Sequence, residues 1–385
     1  MTDWAASEEK GLLDTVERYD RKAIGLSLSG GGYRATLFHT GVLLRLNELG
    51  ILSRIARISS VSGGSITAGV LAMNWDQLGL TEPGSVASDE AMRTALVEPV
   101  LRVTGKTLDV PGILAGFIPW VSAGNVLARL YDRVLFGGMK LADITSRPKF
   151  IFNATNLQTG GVFRFTKHYL SDPRALYCED HGVSIAEAVA ASSAFPPVLS
   201  PMRLDLRGRP VQKSKWAEPP FDQWELRRRP VLVDGGVYDN LGLESIWKHC
   251  GVLIASYSGF NNDPRPHNFN LLHFPAVIDT FLASSIDWRE RLLINLFENQ
   301  LSDGLPERIG TYWTAETTIT DYDRHTPWQS DDPIFAAALA SPTRLRGLDR
   351  EGQVPVIQAG YAFADAGVRT RLLPDAPAPN GPPDL

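Results

Sequence analysis

The chain of 385 residues has only two cysteines, Cys178 and Cys250, too few for a disulfide framework and outside any metal-ligand spacing. Both read as buried thiols of a cytoplasmic protein. Long apolar runs are missing as well. The longest stretch without a charged residue, 110–128, is interrupted by Pro111, Gly112, Gly116, Pro119 and Gly124, whereas a spanning helix needs about 20 mostly apolar residues. Residues 1–22 are charged and lack an apolar core of signal-peptide length. Charge of one sign is also absent: a net charge of −5 exerts no overall pull on nucleic acid, so an anionic partner has to meet a local patch. No Pro/Gly/Ser-rich linker and no internal repeat divides the sequence. The expectation is a single domain over residues 1–373, with a disordered tail over 374–385 where prolines crowd.

What is present is the composition of a folded chain with a sizeable core, 44% hydrophobic and 21% charged. Residues 23–29, 58–61, 149–154, 161–165, 230–233, 251–257 and 311–318 read as strands. Residues 36–49, 66–75, 184–193, 243–249 and 274–296 read as helices, the end from 333 to 373 is helical, and 78–144 is an insertion of helices and loops. Strands alternating with helices predict an α/β fold with a largely parallel sheet.

Two of these strands break at small residues. The first runs into Gly30-Gly31-Gly32-Tyr33-Arg34, whose glycine N–H groups are unobstructed and open a helix, as an anion cradle requires. The second ends in Ser60-Val61-Ser62-Gly63-Gly64-Ser65, a partial match to the Gly-x-Ser-x-Gly elbow that exposes a serine between strand and helix. On that reading Ser62 is a nucleophile, and the N–H of Gly63 points with the glycine loop toward a developing oxyanion. Arg34 binds a phosphate or fixes the loop. Asp234 closes the strand Val231-Leu232-Val233 and precedes Gly235-Gly236, which places a carboxylate at a strand's C-terminal edge, where parallel sheets bind ligands. None of the histidines at 39, 168, 181, 249, 267, 273 and 325 sits in a context that marks a triad member, so a direct Ser62–Asp234 dyad is as economical as a triad. Competing uses of the glycine run stay open. Gly30-x-Gly32-x-x-Ala35 satisfies a relaxed dinucleotide fingerprint, although the second strand ends in Ser62 rather than an acid, and no Gly-Lys-Ser/Thr follows as in a P-loop. A catalytically weak lipid- or nucleotide-binding module is thus the alternative to an enzyme, and a dinucleotide oxidoreductase the third reading.

Together, Gly30-Gly31-Gly32-Tyr33-Arg34, Ser60-Val61-Ser62-Gly63-Gly64, Asn153 to Gly160, Ala191-Ser192-Ser193-Ala194-Phe195-Pro196-Pro197 and Asp234-Gly235-Gly236 occur in the order of the patatin-like phospholipase family, which the chain resembles over about residues 22–258. The resemblance implies a three-layer fold whose mostly parallel central sheet is flanked by helices, with helical and hairpin insertions. It implies a serine lipid acyl hydrolase with a Ser62–Asp234 dyad, an oxyanion hole at the Gly31–Gly32 loop with Arg34 close by, and no metal or other cofactor. Ser60 and Ala35 depart from the family's glycines. The implied partner is a phospholipid at a membrane surface rather than a nucleic acid, which extends the cytoplasmic reading to a peripheral place at the inner membrane face.

A lipid hydrolase has to meet an interface. Ile113, Leu114, Phe117, Ile118, Trp120 and Val121 make 110–130 a candidate apolar flap, matched by an ordinary buried insertion as the plain reading. Residues 202–230 carry more Arg and Lys than Asp and Glu, with Trp216, Phe221 and Trp224 among them, which suits a headgroup layer or, more simply, a solvated hairpin. The helix at 274–296 is expected to face the core despite Trp288, Arg289 and Arg291.

Overall fold

The structure, a computed structural model, describes residues 19–110, 120–259, 273–301, 304–322, 326–379, 381–383 and 385, without the side chains of 273–276, 278 and 279. The expected flap residues Ile113, Leu114, Phe117 and Ile118, together with His267 and His325, lie outside the described residues.

One 11-stranded sheet organises the described chain, in the order β11-β10-β1-β2-β3-β4-β5-β6-β8 with β7 and β9 attached beside β3. The strands are β1 (Asp20–Leu28), β2 (Ile55–Val61), β3 (Lys149–Asn156), β4 (Gly161–Phe165), β5 (Tyr169–Asp172), β6 (Leu176–Glu179), β7 (Met202–Arg203), β8 (Val211–Lys213), β9 (Val231–Asp234), β10 (Cys250–Tyr257) and β11 (Ile309–Thr314). From β11 to β3 every pairing is parallel, and beyond β3 every pairing is antiparallel. The parallel half arises because long helices carry the chain back between strands: α1 (Gly32–Glu48) after β1 and α2 (Gly63–Asn74) after β2. In the antiparallel half β3 to β6 are joined by short turns, whereas α4 (Ile185–Ser192) lies between β6 and β7.

Alternate residues of β10 show the layering. Ile254 joins the core beneath α1, α2 and α7 (Arg350–Arg371), while Leu253, Ala255 and Tyr257 join a second core with Ile286, Leu293 and Leu296 of α5 (His273–Glu298). Helices therefore cover both faces. On the first face α1 and α7 cross in backbone contact: a Cβ on Gly41 would lie 1.8 Å from the Ile357 carbonyl oxygen, and one on Gly360 would lie 1.9 Å from that of Phe38. The crossing is locked by a buried ion pair, Arg45 Nη2 to Asp365 Oδ1 at 2.7 Å. Two further helices frame the antiparallel half, α3 (Ala123–Tyr131) and α4 (Ile185–Ser192), and α6 (Pro333–Ala340) precedes α7. No described helix is long and apolar enough to cross a membrane.

Two local expectations change. β5 and β6, four residues each, escape a reading by periodicity because they are too short to show one. The helix expected over 243–249 shrinks to one 3-10 turn, Leu243–Ser245. Upstream, the Asp239 carboxylate accepts the N–H groups of Leu241 (3.2 Å), Gly242 (3.0 Å) and Glu244 (2.8 Å), and β10 already begins at Cys250, which leaves no room for further turns.

Candidate active site

Ser62 sits between β2 and α2 with φ 50° and ψ −117°, a conformation that non-glycine residues adopt only under constraint. The constraint is visible. The Ser62 N–H donates to Ser192 Oγ (2.9 Å), and the N–H groups of Ser65 and Ile66 converge on the Ser62 carbonyl at 2.9 and 3.3 Å. Gly63 and Gly64 let the two strand–helix turns touch: a Cβ on Gly63 would lie 2.0 Å from the Gly32 carbonyl oxygen, and one on Gly64 would lie 2.5 Å from that of Leu28. Beneath the bend lies a buried serine network. The Ser65 hydroxyl is 2.9 Å from those of both Ser60 and Ser192, and Ser192 donates to the Asn153 carbonyl at 2.6 Å. Ser60, the departure from the family's glycine, is therefore a member of the brace rather than an obstruction.

The glycine loop faces this elbow. Gly31 and Gly32 have φ 133° and 55°, and the site a Cβ would take on Gly30 is 3.2 Å from Ser62 Cβ. Neighbouring amides are spent: Gly30 N–H on Asn240 O (3.1 Å), Tyr33 N–H on Arg344 O (3.2 Å) and Gly64 N–H on Ser29 O (3.2 Å). Among the described residues, the N–H groups of Gly31, Gly32 and Gly63 have no hydrogen-bond acceptor. Unspent donors at two abutting helix starts make a site for a negative charge.

Arg34 does not join them. It is fully buried, and its guanidinium donates to the carbonyls of Leu339 (3.3 Å) and Gly259. Of the two roles expected, it fills the one of fixing the loop, because its helical position aims it at the C-terminal chain. The histidines are equally remote. His39 has its ring nitrogens 3.0 Å from Ser29 O and 3.1 Å from Ser256 Oγ, and burial pushes its pKa down to about 3. None of the described histidine side chains bonds to Ser62 or Asp234.

Asp234 reaches the elbow from a direction the sequence reading did not anticipate. β9 is antiparallel to β3, so Asp234 does not end a parallel strand. Along one edge of β3, β2 pairs up to Val61↔Asn153 and β9 takes over at Asp234↔Ala154, while β4 occupies the other edge. Two strands thus meet head-on, and their tips are Ser62 and Asp234. The motif beginning at Asn153 stitches both tips down. Asn153 Nδ2 donates to the Ser60 carbonyl (2.9 Å), and Thr155 Oγ1 donates to the Asp234 carbonyl (2.9 Å). The motif after α4 does the same from the other side, with Ser192 under Ser62 and the Ala194 carbonyl accepting the Asp234 N–H at 2.9 Å. Ser192, Ser65 and Thr155 were not assigned a role in the site from the sequence, although all three fall inside the quoted motifs.

The carboxylate is 2% exposed, and burial pushes its pKa up to about 7. The Gly236 N–H on Oδ1 (2.8 Å) and the adjacent Ser62 hydroxyl pull it partly back. Oδ2 is buried without a completed hydrogen bond, and the Ser62 hydroxyl lies close enough to act on the carboxyl's pKa. Just past Gly236, a cleft of about 600 Å³ opens between Pro196, Val237, Tyr238 and the α5 residues Phe281, Leu282 and Trp288. Here the expected core-facing helix is two-sided: Ile286 and Leu293 are buried, but Phe281 and Trp288 are 71% and 69% exposed.

With this geometry in place, comparison with known proteins is informative. Among solved structures the chain is similar to human GIVD cytosolic phospholipase A2, with 14% identity and a TM-score of 0.52 over 96% of this chain and 60% of that chain. The same human enzyme in complex with methyl gamma-linolenyl fluorophosphonate aligns at a TM-score of 0.51 and 14% identity, over 94% of this chain and 59% of that one. The chain thus spans about 60% of the length of the human protein it matches, and at this identity the likeness speaks for the fold: a mostly parallel central sheet flanked by helices. No curated protein matches the sequence. The family profile described as patatin-like phospholipase matches residues 26–247, more than half of the chain, including the glycine loop, Ser62 and Asp234. The chain belongs to the patatin-like phospholipase family.

Proposed function

We propose that this protein is a serine acyl hydrolase that cleaves fatty-acyl esters of lipids, membrane phospholipids in particular, with Ser62 as nucleophile and Asp234 as general base. The observation that carries this reading is the head-on meeting of β2 and β9, which sets a strained serine beside a buried carboxylate with one oxygen left without a hydrogen bond. Asp234 takes the Ser62 proton as Oγ bonds to the ester carbonyl carbon, and the N–H groups of Gly31, Gly32 and Gly63 receive the oxyanion. Collapse breaks the bond to the leaving alcohol, which takes the proton from Asp234. Water then attacks the acyl-enzyme, gives its proton to Asp234, and releases the fatty acid as Ser62 Oγ is reprotonated. Each oxyanion donor is worth about 2.7–4 kcal/mol of transition-state stabilisation. A carboxylate raised to about 7 by burial is a far better base than one in water. The cleft beside Gly236 is apolar enough for an acyl chain, and exposed Phe281 and Trp288 at its mouth suit work at the cytoplasmic face of a membrane.

The test is covalent capture. A lipid-like fluorophosphonate should label the protein at Ser62, and Ser62→Ala should remove both the label and at least about 10³-fold of ester hydrolysis. Labelling that persists in Ser62→Ala, or a parent protein that is inert to the probe, would return the glycine loop to a binding module.

A further inference from the structure

At the far end of β9 from Asp234 lies a second concavity of opposite chemistry. A groove of about 500 Å³ runs between α3, the segment after β7 and the first residue of β9, and arginines 129, 203, 207 and 229 line it. Among the described residues, Asp205 is the only acid in the lining. Arg207 grips it through Nε at 2.9 and 3.1 Å, which with the charge of Arg229 holds this carboxyl far below the ordinary range. Among the described residues, neither Arg129 nor Arg203 has an acidic partner. The walls are tied together by side chains of the α3 end: Asn125 donates to the Arg203 carbonyl (3.0 Å) and accepts the Arg203 N–H (2.9 Å), and Ser122 donates to the Pro201 carbonyl (2.5 Å). Positive charge is therefore concentrated on a built surface, not scattered along a mobile loop. At its rim Trp120 is fully exposed, held there with φ 73°, and Val121 beside it is exposed as well.

We propose that this groove docks the protein on an anionic membrane, its arginines taking headgroup phosphates and Trp120 entering the headgroup layer. Guanidinium groups pair phosphate oxygens two at a time, and an exposed indole beside them is the usual interfacial anchor. A lipid surface is favoured over a small phosphate compound by the rim, since an exposed tryptophan and valine gain nothing from a ligand dissolved in water. The neighbouring arginines 227 and 228 are not part of the groove. They turn onto the Trp224 ring, at 5.5 and 3.5 Å from its centroid, so the basic run of the sequence resolves into a smaller functional set. The inference rests on the lipid reading only for the source of the phosphate.

Full-length protein carrying Ser62→Ala, which removes turnover from the measurement, is sedimented with phosphatidylcholine vesicles with and without phosphatidylglycerol. Binding is expected to require the anionic lipid and to weaken with salt. Arg129→Gln with Arg203→Gln should weaken it about tenfold or more, Trp120→Ala should weaken binding to the anionic vesicles as well, and Arg227→Gln with Arg228→Gln should leave it as it was. Unaltered binding by the Arg129/Arg203 double variant overturns the proposal. So does a thermal shift with inorganic pyrophosphate that depends on the same two arginines while vesicles fail to bind, which would make the groove a site for a soluble phosphate compound. Because fluorophosphonate labelling of the parent is scored separately, loss of one result leaves the other standing.

Discussion

The two ends of β9 are about 10 Å apart along the strand, yet they are built on opposite principles. At the Asp234 end a single charge is stripped of water, given one backbone donor, and left with an oxygen unspent. At the Val231 end several charges stand in water around one carboxylate. The first end owes its chemistry to position, because almost any change in its packing alters the carboxylate's affinity for a proton. The second owes its chemistry to composition and should respond to which side chains are present rather than to how tightly they pack.

The sharpest way to break this comparison is Asp234→Asn. Hydrolysis should fall about 10³-fold or more, since a neutral amide cannot take the serine proton. In the parent, activity should rise with pH through about 7 as the carboxylate ionises. Stability should move the other way. The folded protein keeps a proton on Asp234 up to about pH 7 that the unfolded chain releases near its ordinary value of 3.8, so stability falls as pH rises between those points. The Asn variant should accordingly gain melting temperature at pH 8 and almost none at pH 4, with a ceiling of about 4 kcal/mol. A flat pH–rate profile between 6 and 8 would show that burial does not tune this group. Vesicle binding at the other end should follow salt and ignore that pH range.

A smaller effect tests whether position alone makes the buried end. Ser192→Ala removes the acceptor of the Ser62 N–H and leaves a buried donor unpaired, at a cost of about 1–3 kcal/mol. Expected is a drop in kcat of about tenfold to a hundredfold with KM little changed, because the elbow loosens while the cleft does not. A change confined to KM would move Ser192 out of the elbow's support. The smallest effect should come from Phe281→Ser. Losing that ring from the cleft should raise KM for long acyl esters by about tenfold and leave short esters alone. Equal loss on both would mean that acyl chains lie elsewhere.

How far the sequence spoke for itself follows the same division. Gly30–Gly32 and Ser62–Gly64 were legible because a strand that breaks at glycine and restarts as a helix is a local event, complete within a few residues. The way Asp234 arrives beside Ser62 was not readable from the residues themselves. It depends on β9 running antiparallel into the space left by β2, a pairing that no nearby residue encodes. The inference from a parallel strand end reached the right level of the sheet by the wrong route. Arg34 looked like an anion ligand because charge is visible in sequence and burial is not. The basic run over 202–230 was visible as composition, but the partners that subdivide it, Trp224 for Arg228 and Asp205 for Arg207, are local pairs that a count of charges passes over.

The glycine loop is also held from outside the matched family segment. Its Tyr33 N–H reaches the Arg344 carbonyl, Arg34 reaches that of Leu339, and a Cβ on Gly32 would lie 2.3 Å from the Thr343 carbonyl oxygen. Residues 26–247 therefore do not contain everything that shapes the glycine loop. A fragment trimmed to the motifs would keep every residue of the proposed dyad and lose the strap that shapes its anion cradle. Expression boundaries drawn from the motifs alone would yield a chain with the right residues and an unsupported site, and cleavage ahead of residue 339 is expected to remove that support while leaving the proposed dyad intact.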